Sequence, residues 1–556
     1  MIRPFHVTPA AHAAPATPAP PARAATQLAR LAIGLATLLS SLLATPGAIE
    51  AAPKPPRLAT SLAESPAATA PAPAPASPAV TFAPLAGTDG RLGAVEAFRA
   101  GQTSLPYDAG VRWERMTFWW RGLQSGPGQP LNPFYLPYSY IDDERARGVE
   151  VVGLLVNTPD WAAQDPSRGG TSVPKNLYLP YNHPDNYWGQ FVRQVVRHYQ
   201  GRIDTWIVWN EPDITPDSPN AAYYIWSGTP ADYYQLLKVA YLAAKEVNPN
   251  ARVSTAATTY WTDIHMVREQ WFNRFLDQVA ADPTAPANGY YFDLAALNLY
   301  TNPENLYTVP SLYRQLMRER GFEKPIWITE TNVIPWDDPV NAGTALGSPA
   351  QRRATLAEQA DYLLQGIAMG LASGVEKIEV YRMKDGDGDV VNGEALLRQD
   401  FSARPAYHAF RVAAQYFSHY DTARLFAPGD LRQIVFDSPG RRVTVLWNAA
   451  PTPISVLLPV SGDGNALRVA PSGESYPIGA DPAAGAFWVD LPGATMHTDL
   501  DDPNVYLIGG TPVVLVESNP TTLVAAAANL SPATLNAFRP IAARYAGQFG
   551  SGSLDG

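Results

Sequence analysis

The sequence predicts an α/β fold, a closed (β/α)8 barrel of the TIM type followed by a small antiparallel β-sandwich. Three observations carry that expectation. From about residue 111 to 382, short apolar runs alternate with amphipathic helical stretches, the pattern of a parallel sheet wrapped by helices. Repeated βα units of this size within about 300 residues favour a closed barrel over an open, doubly wound sheet. After Pro405 the pattern changes to short alternating strands separated by Gly, Pro and Asn turns.

The strand candidates of the first part are residues 111–117, 149–156, 203–209, 252–257, 294–300, 325–329 and 375–382, with a weaker one at 91–95. Between them, Phe191, Val195, Val196 and Tyr199 fall at helical spacing, as do Tyr234, Leu237, Ala240 and Tyr241. Leu363, Leu364, Ile367, Ala368 and Leu371 continue the pattern, and Gly374 is placed to end that helix. The second part offers strands at 433–436, 443–447, 454–458, 486–489, 505–508 and 513–516, the last two joined by Gly509 and Gly510. No Gly-rich phosphate loop follows any strand, which argues against a nucleotide site.

The N-terminal stretch is different. Residues 1–84 hold 16 of the 54 prolines and no sustained periodicity. Within them, residues 31–44 form an uncharged apolar run behind Arg23 and Arg30, the pattern of a signal peptide. The run is shorter than the roughly 20 residues that span a bilayer, so an uncleaved anchor is the lesser alternative. The expected organisation is a signal peptide at 1–50, a Pro/Ala-rich linker at 51–84, a barrel domain at 85–418, a β-sandwich at 419–518 and a tail at 519–556. A secreted or cell-surface protein, without stable membrane insertion after cleavage, follows from that reading.

Composition narrows the chemistry. The 556 residues include no cysteine, which excludes disulfides, thiolate metal sites and a Cys nucleophile. A formal net charge of −10 repels a phosphate backbone, so nucleic acid is not an expected partner. The segment KDGDGDVVNGE, with Asp385, Asp387 and Asp389, suggests a calcium loop. Val390 stands where an EF-hand needs Gly and Leu396 where it needs Glu, so a solvated acidic loop and no metal is the reading. Apart from His12 in the leader, the histidines show no zinc spacing.

Strands of a barrel aim their C-terminal ends at one face, where chemistry is done. Two segments place an acid there. One runs Thr205-Trp206-Ile207-Val208-Trp209-Asn210-Glu211-Pro212, the other Lys324-Pro325-Ile326-Trp327-Ile328-Thr329-Glu330-Thr331. Two carboxyl groups delivered to one cleft can divide the cleavage of an acetal, one protonating the departing oxygen and the other attacking the anomeric carbon. Sharing one rim, they would stand roughly 5 to 5.5 Å apart, the spacing of a retaining mechanism. For either glutamate alone the competing reading is a helix-capping acid.

Trp-Asn-Glu-Pro on a middle strand with Trp-Ile-Thr-Glu on a later one resembles clan A of the glycoside hydrolases, families 39 and 5 above all. Arg112-Trp113-Glu114-Arg115 with Trp119 resembles that clan's early-strand arginine and following aromatic, and Thr158-Pro159-Asp160-Trp161 its third-strand Pro-x-Trp. Arg404-Pro405-Ala406-Tyr407 resembles the stretch after the last barrel strand. The likeness covers about residues 105 to 517. It implies a secreted retaining O-glycosidase that needs no cofactor and takes a carbohydrate substrate. Glu211 matches the general acid/base, Glu330 the nucleophile and Asn210 the residue binding the sugar's 2-hydroxyl. Arg115 matches the arginine whose charge and hydrogen bonding keep the nucleophile ionised. Tyr300 matches the sixth-strand tyrosine that donates to it. Asn298 stands where relatives often carry His, and Tyr381 where they often carry Trp. Trp119, Trp161 and Trp336 are candidate sugar platforms, with packing as the alternative for each. A degenerate carbohydrate-binding or envelope protein, and a transglycosylase using the same glutamates, are the other readings. Sugar identity, linkage and oligomeric state stay open.

Overall fold

The computed structural model describes residues 89–98, 102–348, 353–386, 393–495, 506–520 and 528–529. The signal-peptide and linker readings lie outside the described residues, as do most of the tail and Asp387 and Asp389.

Eight parallel strands close into a ring: β1 (Leu92–Ala94), β2 (Trp113–Trp119), β3 (Glu150–Val156), β4 (Thr205–Val208), β5 (Arg252–Thr258), β6 (Leu294–Asn298), β7 (Ile326–Glu330) and β8 (Lys377–Val380). Each is followed by its helix: α1 (Ser104–Ala109), α2 (Tyr138–Ala146), α3 (Tyr187–His198), α4 (Pro230–Val247), α5 (Trp271–Ala281), α6 (Asn305–Arg318), α7 (Leu356–Ala372) and α8 (Pro405–Tyr416). This is the TIM barrel that the periodicity predicts. Local chemistry starts and stops the helices. Thr229 and Asp232 form a reciprocal capping box on α4, as do Thr355 and Glu358 on α7. Gly374, at φ +81°, turns the chain out of α7.

Alternation along the strands fills two layers. Inside the ring, Trp113 and Trp327 lie with ring centres 5.2 Å apart, packed with Val152, Leu154, Val156, Ile207 and Leu294. The Lys377 ammonium covers both tryptophans, 5.4 and 4.8 Å from the ring centres. Gly93 is required there, because a Cβ would come within 2.6 Å of the Trp113 ring. Outside the ring, Phe118 meets Tyr199 and Trp206 edge to face at 5.2 and 5.4 Å.

The chain then forms a second unit. Strands β9 (Thr422–Phe426), β10 (Leu431–Ser438), β11 (Arg441–Asn448), β12 (Ile454–Pro459), β13 (Asn465–Val469), β14 (Ser475–Gly479), β15 (Ala486–Leu491) and β16 (Val513–Ser518) build two antiparallel sheets. The larger has the order β9-β10-β11-β16-β13-β14; the smaller pairs β12 with β15 and with residues 528–529. Leu446, Val456, Leu458, Phe487, Val489 and Leu515 form the core between them, a sandwich. The other face of the large sheet joins the barrel's own core: Phe436 stacks on Phe417 just beyond α8, at 5.3 Å. Gln365 of α7 donates to the carbonyls of Gly509 and Gly510 at 3.0 and 3.1 Å. Because that side chain and the Asn448 carbonyl take the main chain of Gly509 and Gly510, described residues 506–508 are irregular, where 505–508 was expected to be a strand.

The acidic loop also departs from expectation. Asp385 is buried, accepting from Arg404 at 2.6 Å and from the Ala395 N–H at 3.1 Å. Arg404 reaches Asp338 as well, at 2.5 Å, so one buried guanidinium ties the segments after β7 and β8 together. Arg404→Met should leave Asp385 buried without its cation and Asp338 with Arg398 alone, at a cost of about 3–5 kcal/mol. A urea titration reads this as a lower midpoint at unchanged slope.

Candidate active site

The C-terminal ends of all eight strands open on one rim, and both sequence-predicted glutamates stand on it. After β4 the main chain bends sharply. Trp209 and Glu211 take left-handed conformations, φ +72° and +42°, which non-glycine residues adopt at a cost of about 1–3 kcal/mol each. The bend is held by the buried Trp209 indole, which donates to the Ile225 carbonyl at 3.0 Å. The Glu211 N–H donates to the Ala257 carbonyl of β5 at 2.8 Å. Glu330 needs no such bend, being the last residue of β7.

Strand β6 holds both carboxyl groups. Asn298 at its end donates to Glu211 Oε1 at 2.9 Å and to the Asn210 carbonyl oxygen of the side chain at 3.3 Å. Thr329 orients that amide by donating to Asn298 Oδ1 at 2.9 Å. Two residues beyond Asn298, the Tyr300 hydroxyl donates to Glu330 Oε2 at 2.6 Å. The other oxygen of Glu330 accepts from Arg115 Nη2, also at 2.6 Å. Arg115 therefore pairs with Glu330, and not with Glu114. The Glu114 carboxylate accepts from the Phe98 N–H at 3.2 Å and from Tyr140 at 3.0 Å.

The two glutamates sit in unlike surroundings. Burial pushes the Glu211 pKa up, the charge of Glu330 pushes it further, and the Asn298 hydrogen bond opposes both. Glu330 is instead gripped at each oxygen by a donor. Burial opposes the Arg115 charge, but Glu330 and Glu379 outweigh it and drive its pKa further up. Burial also raises the Tyr300 and Tyr381 phenols, so both are hydrogen-bond donors at neutral pH.

Four neighbours escaped the sequence reading. Glu379 of β8 accepts from the Arg115 N–H at 2.8 Å, and its other oxygen lies 3.6 Å from the guanidinium. Asp213, fully buried, accepts from the Thr259 N–H and hydroxyl at 2.8 and 2.7 Å; burial raises its pKa to about 6. Glu394, in the segment after β8, is buried and pushed up to about 8 by burial and then by Asp385. The Tyr223 phenol is raised by burial and then by the charges of Glu394 and Glu211. Glu379 was legible as a lone acid alternating inward with Lys377 on a barrel strand. Glu394 was masked by its position in a run of acids.

The aromatic candidates divide. Trp119 packs partly against the barrel interior, and its main-chain N–H donates to the Tyr135 hydroxyl at 3.1 Å. Trp161 donates to the Gln124 carbonyl at 3.3 Å and meets Trp120 and Tyr187 edge on. Both have packing partners and neither bonds to a glutamate of the pair. Trp336 stands half-buried in the segment between β7 and α7. Tyr381 is tied to β7, its N–H donating to the Thr331 carbonyl at 3.1 Å. Among the described residues no group of three or more His, Asp or Glu is placed to hold a metal ion.

No family model matches the chain. A stretch of 90 residues is 33% identical to a beta-xylosidase of Caldicellulosiruptor saccharolyticus, covering 15% of this chain and 17% of that protein. The fold is shared with solved structures. A family 39 glycoside hydrolase from Bacteroides cellulosilyticus superposes with a TM-score of 0.56 at 17% identity, over 77% of this chain and 81% of that one. A family 30 endoxylanase from Clostridium papyrosolvens gives 0.50 at 14%, over 77% and 96%. A glucosidase from Croceicoccus marinus gives 0.50 at 13%, over 74% and 91%.

The electrostatics make a substrate-free prediction. Glu330→Gln removes the charge that disfavours Glu211 ionisation and should lower the Glu211 pKa. Asn298→Leu removes a donor to its charged form and should raise it. Carbon-13 titration of the carboxyl resonances reads both shifts.

Proposed function

We propose that this chain is a retaining O-glycoside hydrolase acting on an oligosaccharide or polysaccharide, with Glu330 as nucleophile and Glu211 as general acid/base. The observation that carries the reading is the shared hold of β6 on both carboxyl groups, Asn298 on Glu211 and Tyr300 on Glu330. Two carboxyl groups on one rim, one buried toward its protonated form and the other gripped by a cation and a phenol, are the parts of a double displacement.

The steps follow from those positions. Glu330 attacks the anomeric carbon while Glu211 passes its proton to the departing glycosidic oxygen, leaving a glycosyl ester on Glu330. Arg115 and Tyr300 take back the charge and hydrogen bonds of Glu330 when the ester breaks. Glu211, now ionised, removes a proton from the attacking water, which releases the sugar with its original configuration. Asn210, beside Glu211 and bonded through Asn298, takes the sugar hydroxyl next to the reacting carbon on this reading. Neither step calls on a cofactor.

The substrate class is narrowed by the similar proteins, whose names include a beta-xylosidase, an endoxylanase and a glucosidase. Xylans, xylo-oligosaccharides and β-glucans are accordingly the first members of a test panel. Export through the N-terminal apolar segment would bring the enzyme to such polymers. The sandwich, which shares its core with the barrel, serves the barrel's stability on this reading.

Glu330→Ala should abolish turnover of whichever panel member the wild type hydrolyses, by more than about 10³-fold, with an unchanged circular dichroism spectrum. Near wild-type turnover by that variant would remove Glu330 from the reaction.

A further inference from the structure

Where β7 ends, two buried amides continue the work of the sheet. Asn332 lies two residues beyond Glu330 and is fully buried. Its Nδ2 donates to the carbonyls of Tyr381 and Glu394, at 2.8 and 2.6 Å. Its Oδ1 accepts from the Val333 N–H at 2.8 Å and from Gln359 Nε2 at 3.1 Å. Gln359, also fully buried, projects from the first turns of α7 and donates in addition to the carbonyls of Glu394 at 2.7 Å and Val333 at 3.2 Å.

These bonds join the segment after β7 to the segment after β8 and to the start of α7. β7 pairs with β8 at Trp327 and Ile328, and beyond the strand ends the Tyr381 N–H donates to the Thr331 carbonyl. On its other side, Glu330 is pinned to β6 by the Leu299 N–H at 2.9 Å. Without the amides, the segment after β7 would be linked to the β8 side by the Tyr381–Thr331 hydrogen bond, by Arg115 between Glu330 and Glu379 and, farther out, by Arg404 between Asp338 and Asp385. Both ends of the buried Asn332 amide are engaged, so any displacement leaves a polar group unsatisfied, and Gln359 braces it through its Nε2 alone.

We propose that Asn332, braced by Gln359, is a positioning residue that fixes the carboxylate of Glu330 against Glu211 and holds the Tyr381 and Glu394 wall in register with it. The role rests on the glycosidase reading above, but the placement it asserts is measurable without substrate.

α7 supplies a matched control. Gln365 is equally buried on the same helix and makes three hydrogen bonds with Gly509 and Gly510, on the side of the sandwich. Gln359→Leu and Gln365→Leu therefore remove the same chemical group from one helix at comparable structural cost. Loosening Glu330 lets its charge move away from Glu211, so Gln359→Leu should shift the Glu211 carboxyl titration downward, in the direction given by Glu330→Gln and by less. Gln365→Leu should leave it in place. Asn332→Ser should follow Gln359→Leu, and Gln359→Leu alone decides the matter where Asn332→Ser fails to fold. In turnover of a hydrolysed panel substrate, Gln359→Leu should lose up to about 100-fold in kcat with KM little changed, the signature of a misplaced reacting group. An unmoved Glu211 titration in Gln359→Leu, or equal shifts in the two glutamine variants, overturns the positioning role. Activity retained by Glu330→Ala would instead overturn the role given to Glu330 in that reading, leaving the titration result to stand for the placement alone.

Discussion

Arg115 carries its charge into the barrel, where an ion without a counter-ion costs several kcal/mol, and two carboxyl groups converge on it from β7 and β8. The seam of the ring depends on the same meeting. β1 is only three residues long and pairs with β2 at the single position Gly93–Trp113. Above it, the Arg115 main-chain N–H has Glu379 of β8 as its acceptor, so a side chain spans the gap that β1 leaves. The interaction that completes the ring is thus also the one that presents Glu330 to the cleft.

Around that fixed charge the two glutamates are held in opposite surroundings. Glu211 is reached by a strained turn after β4, lies buried, and is raised by its neighbour's charge. Glu330 sits unstrained at a strand end with a donor on each oxygen. Removing either surrounding would make the pair alike, and a symmetric pair does not fix which carboxyl group carries the proton. β6 fixes the pairing, since Asn298 and Tyr300 lie on one short segment and cannot move independently.

Much of this was legible in the amino-acid sequence. All eight barrel strands lie within two residues of their expected bounds, because strands covered by helices read as short apolar runs. Glu211, Glu330, Arg115, Tyr300, Asn210 and Asn298 stand together at the mouth. What was missed had a weaker signal. β9 and β14 are edge strands with little buried surface, and β14 carries a proline, so neither shows a buried alternating face. Asp385 and Glu394 sit in a run of acids and glycines that reads as solvated, and the Arg404 that buries Asp385 is remote in pattern though near in space. Asn332 and Gln359 are single amides, whose role exists only once three segments have met.

The account stands on a double displacement at one carbon. Proton NMR of the first sugar released, recorded before mutarotation, tests it most directly. The anomeric proton should show the configuration of the bond that was cut, as two successive inversions of the anomeric carbon through a Glu330 ester require. A first product of opposite configuration would mean that water attacks directly, and Glu330 would not be a nucleophile.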